Sequence, residues 1–414
     1  MTRKEYINKL IITTLCIVYP VYALPFLLIL SLKNDKYYYF LISLVMGYFA
    51  YLLVPYTTMD ITRYYATYNE LLDKPYDNVF LVGRYIDVVF YSFFWMLGKI
   101  GLNKQFIPFF AMFFCYYFYL NTLRKIINHT PLDIHRKLLI LGLFLLFGVT
   151  NFIDDSSGSR NPLAFSIIIY AIISFYYDKK IIPFLFLSFF SIILHVSSAL
   201  IFIIFIFASL TYRISKEYRV LFIISFFLLL LGFFNEFFFY IIDLFKPTLI
   251  KLHLYFPSYM TKDGVWGPGF YDNKNIKTYV FEKFIMPLPF YISALYFVFI
   301  HRFVNKKLSV FLMILFIFIS LFSVSRTMFA RYNHFFATFF VFYFIAEIGY
   351  TKLTKIRKVI LVLFIFSIGL SSFGYGVKYR QDYLHSWGKV FYEPALFTLF
   401  HEITPKDYIV NKSL

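Results

Sequence analysis

Charge is scarce in this chain. Only 15% of its 414 residues are Asp, Glu, Lys or Arg, against roughly a quarter in soluble domains, and no stretch is left that would make a soluble domain. Cysteine is almost missing. Cys16 and Cys115 both fall inside apolar runs, which excludes a disulfide framework and reads as two buried, inert thiols. There is no paired Cys-x-x-Cys or other metal-ligand spacing, no Gly-rich phosphate loop and no Gly-x-Ser-x-Gly. A metal centre, a nucleotide fold and a serine-hydrolase elbow are therefore not expected. Internal repeats and low-complexity tails are also lacking. Acidic residues are few as well: 22 Asp and Glu stand against 40 Lys and Arg, for a net charge of +18.

Apolar length is abundant. Residues 10–32, 37–56, 138–153, 161–177, 220–242, 309–325 and 358–374 are nearly free of charge, and 60% of the chain is hydrophobic. A hydrocarbon core about 30 Å thick needs roughly 20 apolar residues per helix. The chain therefore reads as an all-α, polytopic integral membrane protein with about 11 to 13 transmembrane helices, organised as a single membrane domain over 1–414. Arg3, Lys4 and Lys9 precede a 23-residue apolar run. That run is too long for a signal peptide and reads as an uncleaved first span.

The surplus positive charge follows from this topology. Its clusters are Arg3/Lys4/Lys9, Arg124/Lys125/Arg136/Lys137, Lys179/Lys180, Arg213/Lys216/Arg219, Arg302/Lys306/Lys307 and Lys352/Lys355/Arg357/Lys358. Short basic loops of this kind mark the cytoplasmic side and can meet anionic headgroups or a diphosphate; no nucleic-acid partner is needed. With these clusters inside, loop 154–160, the longest loop 243–280, the connection Arg326 to His334 and the tail 375–414 are expected outside. Residues 181–212 would make one helix of about 48 Å, too long for one crossing, so a break is expected near His195. Loop 57–81 is cytoplasmic if both arms of 82–122 cross, and external if one is re-entrant.

Four polar constellations interrupt the apolar pattern. In Asp60-Ile61-Thr62-Arg63-Tyr64-Tyr65, with Tyr68 one turn on, helical spacing puts Asp60, Arg63, Tyr64 and Tyr68 on one face; Asp60 also suits an N-cap. Asp154-Asp155-Ser156-Ser157-Gly158-Ser159-Arg160-Asn161-Pro162 sets an arginine at the opening of a helix, with Pro162 suited to its first turn. Helix N-termini draw anions, and the guanidinium fork matches phosphate oxygens; a capped turn with an interfacial arginine is the plainer alternative. His195-Val196-Ser197-Ser198 places an imidazole, a possible base near neutral pH, at membrane depth, where polar groups are costly unless they line a cavity or bond between helices. Ser325 to His334, with Arg326 and Arg331, is basic on the predicted outer face, which suits an anionic ligand or snorkelling arginines. In loop 243–280, Trp266 and Tyr271 suit weak sugar stacking or a plain interfacial turn.

Taken in order, these segments resemble the EpsG/Wzy family of polysaccharide polymerases. Asp60 with Arg63-Tyr64, then Arg160-Asn161, then His195-Val196-Ser197-Ser198, then Arg331-Tyr332 match its sequence of short motifs. The middle motif departs from the family's usual Asn-x-Arg, because here the arginine precedes Asn161. The resemblance implies a polymerase of the bacterial inner membrane that joins undecaprenyl-diphosphate-linked oligosaccharide repeats into O-antigen or a similar polysaccharide at the periplasmic face. It implies membrane lipids, a chain-length regulator and a flippase as partners, and no cofactor. It further implies His195 as first and Asp60 as second candidate base, with Arg160, Arg331 and Arg63 on the diphosphate. A flippase of lipid-linked oligosaccharide, a membrane O-acyltransferase and an O-antigen ligase are the competing readings.

Overall fold

The computed structural model describes residues 3–409 apart from 58, 83–87, 233, 252–259, 262–278, 301–302, 352–353, 379–390 and 392. Trp266 and Tyr271 lie outside the described residues. Among those described there are nineteen α-helices and no strand, so the chain is all-α and polytopic.

Four helical stretches are long and apolar enough to cross a membrane: Phe106–Asn128, Ser197–Leu230, Lys306–Val324 and Lys355–Gly374. The bent pair Leu132–Val149 and Phe152–Gly158 would make a fifth. Pro20–Ser31, Val88–Lys99, Ile181–Leu194 and Leu288–Phe299 are apolar but only 10–17 residues long. The apolar runs behind the expected 11 to 13 spans are thus cut, among the described residues, into fewer full-length crossings and several short helices. The causes are local. Pro20 starts a new helix after Tyr19, Pro287 precedes Leu288–Phe299, and Gly101 ends Val88–Lys99 at φ +76°, a left-handed conformation that glycine adopts without cost.

The chain divides into two compact units: 1–140 with 151–202 and 377–414, and 141–150 with 203–376. The first holds α1 (Arg3–Val18), α2 (Pro20–Ser31), α3 (Lys36–Tyr51), α4 (Asp60–Leu71), α5 (Asn78–Val82), α6 (Val88–Lys99) and α7 (Phe106–Asn128). Helix α8 (His135–Val149) runs on into the second unit; α9 (Phe152–Gly158), α10 (Arg160–Asp178) and α11 (Ile181–Leu194) complete the bundle of the first. Asp35 caps α3 by accepting from the Tyr37 amide at 3.0 Å, the arrangement that satisfies an orphan helix N–H. Helices α3 and α7 approach closely at Gly47, where an added Cβ would lie 2.8 Å from the Phe109 carbonyl oxygen. A small residue permits such backbone contact in membranes. Cys16 and Cys115 are buried free thiols.

The second unit contains most of α12 (Ser197–Thr211), with α13 (Ser215–Leu230), α14 (Phe234–Lys251), α15 (Leu288–Phe299), α16 (Lys306–Leu321), α17 (Arg326–Ile348) and α18 (Lys355–Lys378). Its core is aromatic: Phe290 stacks on Phe316 at 5.0 Å and meets Phe336 edge-on at 5.2 Å. Two local differences from the sequence reading appear here. Residues 243–251, placed in the longest loop, belong to α14. Arg357, placed in a basic surface cluster, is buried and turns to the fully buried Glu347 at 3.5 Å. Glu347 also accepts from the Val304 amide at 3.0 Å and the Asn305 side chain at 3.2 Å, which satisfies a carboxylate that would otherwise be costly to bury.

A polar site at the helix breaks of the first unit

The site begins with an abrupt junction. Helix α9 ends and α10 begins at one residue, Ser159, with φ +30° and ψ −59°. That is strained backbone for a residue with a Cβ, of a kind that costs on the order of 1–3 kcal/mol and gathers at functional sites. Local bonds hold it. The Ser159 amide donates to the Asp155 carbonyl at 2.8 Å, and its hydroxyl donates to the Ser156 carbonyl at 2.6 Å. The turn upstream is tied as well, with the Asn151 side chain donating to Asp154 at 2.9 Å. The result places Arg160 at the first residue of α10 and Pro162 two residues on, where the missing proline N–H matters least. Asn161 Oδ1 is buried with no hydrogen-bond partner among the described residues.

The expected break at His195 is present. Helix α11 stops at Leu194, His195 is extended (φ −157°, ψ 119°), and α12 starts at Ser197. The imidazole is 5% exposed. Its Nε2 lies 3.0 Å from Ser197 Oγ, and its backbone carbonyl accepts from the Ser198 amide at 3.0 Å. Ser191 ties this end of α11 to α10 by donating to the Ala164 carbonyl at 2.7 Å. The Ser198 hydroxyl is buried and, among the described residues, lacks a hydrogen-bond partner. Buried polar atoms are nearly always satisfied, so Asn161 Oδ1 and Ser198 Oγ are groups that a polar ligand can complete.

Helix α4 closes on the same region. Ile61, Tyr64, Tyr65, Tyr68 and Leu71 form its buried stripe, spaced as an amphipathic helix requires. Tyr64 reaches the Gly158 carbonyl at 3.4 Å. A single apolar cluster joins Tyr64 and Tyr68 of α4, Phe90 and Phe94 of α6, Ile153 of α9, Ala164 of α10 and Leu194 of α11. The elements carrying Asp60, Arg160 and His195 therefore share one core.

Two expectations are corrected here. The face carrying Asp60, Arg63, Tyr64 and Tyr68 is not buried as one. Asp60 is the first residue of α4 rather than its cap and pairs with Arg63, whose side chain is 73% exposed, while the tyrosines point inward. The connection Arg326 to His334 is not a loop but the first turns of α17. The chain turns one step earlier, through the 3-10 turn Phe322–Val324 and the extended Ser325, and no proline or glycine interrupts the helix before its cap at Gly349. Arg331 lies on α17 in the second unit. Asn333 and His334 line a pocket there with Met286, Pro287, Phe290 and Ser371.

The sequence reading did not single out one charged residue that the first unit buries. Lys104, in the turn before α7, is buried and bonded to Glu402. An isolated lysine after a glycine-ended helix carries no local pattern, and its partner is 298 positions away.

Apolar helices, several of them long enough to cross a membrane, define an all-α integral membrane protein. The model of the EpsG family matches residues 36–385, most of the chain. The chain belongs to the EpsG family, a family of Wzy-like polymerases, and is thereby a polysaccharide polymerase-type membrane protein. No curated protein matches it. No solved structure matches it either.

Proposed function

We propose that the protein joins oligosaccharide repeats carried on undecaprenyl diphosphate into O-antigen or a similar polysaccharide, at the periplasmic face of the bacterial inner membrane. The observation that supports this reading is that α10, which opens with Arg160, and α11, which ends just before His195, pack into one apolar cluster. Membership of the EpsG family supports it. In the proposed reaction a sugar hydroxyl of one repeat attacks the anomeric carbon of another. A new C–O bond forms, the bond from that carbon to the lipid diphosphate breaks, and the diphosphate leaves with the electron pair. His195 takes the hydroxyl proton; a base positioned in this way contributes roughly 10²–10⁴-fold. Arg160, at a helix N-terminus that itself favours anions, receives the charge growing on the diphosphate. Asn161 Oδ1 and Ser198 Oγ accept from and donate to sugar hydroxyls.

The test is the surface glycolipid of the host, separated on a gel. Deleting the gene should leave a single-repeat band without a ladder. Loss of a flippase or ligase would remove that band too, and loss of an acyltransferase would keep the ladder. Arg160→Ala should reproduce the single-repeat pattern at normal protein level; a full ladder from that variant refutes the site.

A further inference from the structure

Lys104 is built into the first unit like a binding residue rather than a fastening. Its side chain is 4% exposed, whereas that of its partner Glu402 is 55% exposed. The ammonium donates to Glu402 Oε1 at 3.1 Å and stands 5.8 Å from the ring centroid of Tyr65 on α4. Taking an ammonium out of water is expensive, and an ion pair offsets this best when both partners are enclosed and bonded on every side. Here only the cation is enclosed.

The turn that carries Lys104 is rigidly held. Gln105 donates from Nε2 to the Tyr51 carbonyl at 3.1 Å, accepts at Oε1 from the Ile403 amide at 2.8 Å, and donates its own amide to Asn103 at 3.1 Å. The segment bearing Glu402 is pinned independently of that carboxylate. Tyr48 and Thr398 bond through their hydroxyls at 2.7 Å, and the Ile409 amide donates to the Pro55 carbonyl at 3.1 Å. Glu402 can therefore turn into solvent while its backbone stays in place. The other nearby acid, Asp407, is committed elsewhere: it accepts from the Thr404 amide and hydroxyl, both at 2.8 Å. The Tyr65 hydroxyl is fully buried and has no hydrogen-bond partner among the described residues. Tyr408 and Ile409 pack on the same apolar cluster that joins α4, α9, α10 and α11.

We infer that Lys104 is an anion-binding residue of the polymerase site and that the Glu402 carboxylate holds the place of a phosphoryl group of the isoprenoid-linked diphosphate. The identity of that anion rests on the function proposed above; the site itself rests on the geometry. Arriving diphosphate displaces an exposed carboxylate from a buried ammonium. Lys104 keeps a partner throughout, and no uncompensated charge is left inside the protein.

The full chain in nanodiscs of zwitterionic lipid is titrated by calorimetry with inorganic pyrophosphate and, separately, with farnesyl diphosphate. Glu402→Gln should bind both more tightly than the wild type, because it removes the internal competitor. Lys104→Met should weaken binding roughly 10- to 100-fold, the value of one hydrogen bond to a charged group, and Lys104→Arg should restore most of it. If Lys104→Met does not fold, Glu402→Gln decides alone. A merely structural pair requires that variant to melt lower with unchanged pyrophosphate affinity, and this result overturns the inference. Absence of saturable binding to wild type and Glu402→Gln alike overturns it too. So does binding that tracks added phosphatidylglycerol instead of the diphosphates. An intact ladder in the deletion strain would end the polymerase reading yet leave the pyrophosphate titration to judge Lys104.

Discussion

Each unit of this protein opens a helix with a serine–arginine pair, and the two pairs are built differently. At Ser325–Arg326 the serine is extended (φ −89°, ψ 106°), and the Arg326 Nε donates to a carboxylate oxygen of Glu282 at 3.0 Å, with the Glu282 side chain only 8% exposed. At Ser159–Arg160 the serine sits at positive φ, pressed between two helices that meet without a linker. The first pair is a relaxed backbone closed by an ion pair. The second stores strain to place a guanidinium at the head of a 19-residue helix. The same dipeptide in the same helical position is a fastening in one unit and, on the reading proposed here, a binding group in the other. What separates them is whether the backbone is forced.

The widest separation should come from removing the two arginines. Arg160→Ala should lower polymerisation per molecule by about 10²–10³-fold, the usual cost of losing one preorganised electrostatic donor. Arg326→Met should act on stability instead: Glu282, only 8% exposed, loses the Arg326 guanidinium, at a cost of about 3 kcal/mol, read as a lower melting temperature in detergent, with activity per folded molecule retained. Equal effects of the two on activity would erase the distinction. The serines give a smaller contrast. Glycine should be more stable than alanine at 159 by about 1 kcal/mol, since only glycine takes positive φ freely. At 325 the order should invert by up to about 1 kcal/mol, because glycine has more freedom to lose. Asp60→Asn should matter least for stability, under about 0.5 kcal/mol, because its pair with Arg63 is largely exposed. A complete ladder from this variant would remove Asp60 from the candidate bases.

Much of this arrangement was readable without coordinates. A 32-residue apolar stretch has to break somewhere, and His195, with Ser197 and Ser198 just beyond it, is its weakest point. Arg160 before Asn161-Pro162 reads as a helix start because proline is welcome there and almost nowhere else in a helix. Order along the chain carried the family resemblance. Other features leave no local trace. Arg326 to His334 looks like a loop because it is polar, yet α17 can be polar at its start since its neighbours, Glu282 among them, satisfy it. Arg63 suits a shared face by spacing, but the tyrosines of α4 claim the buried side and leave it in solvent. Arg357 reads as a surface charge until Glu347 is found beneath it. The strain at Ser159 has no signature in residue type, for serine is common at helix starts with ordinary angles.

The bond between Tyr48 and Thr398 spans 350 positions, and that distance sets a timetable for the protein's birth. The ribosome delivers the early helices to the bilayer long before the segment that covers them exists. Until then the turn at Pro55, which receives Ile409, waits uncovered beside α4 while every later helix is inserted. A product stalled before residue 398 would carry nearly all the described helices while the segment that covers this part of the first unit was still missing.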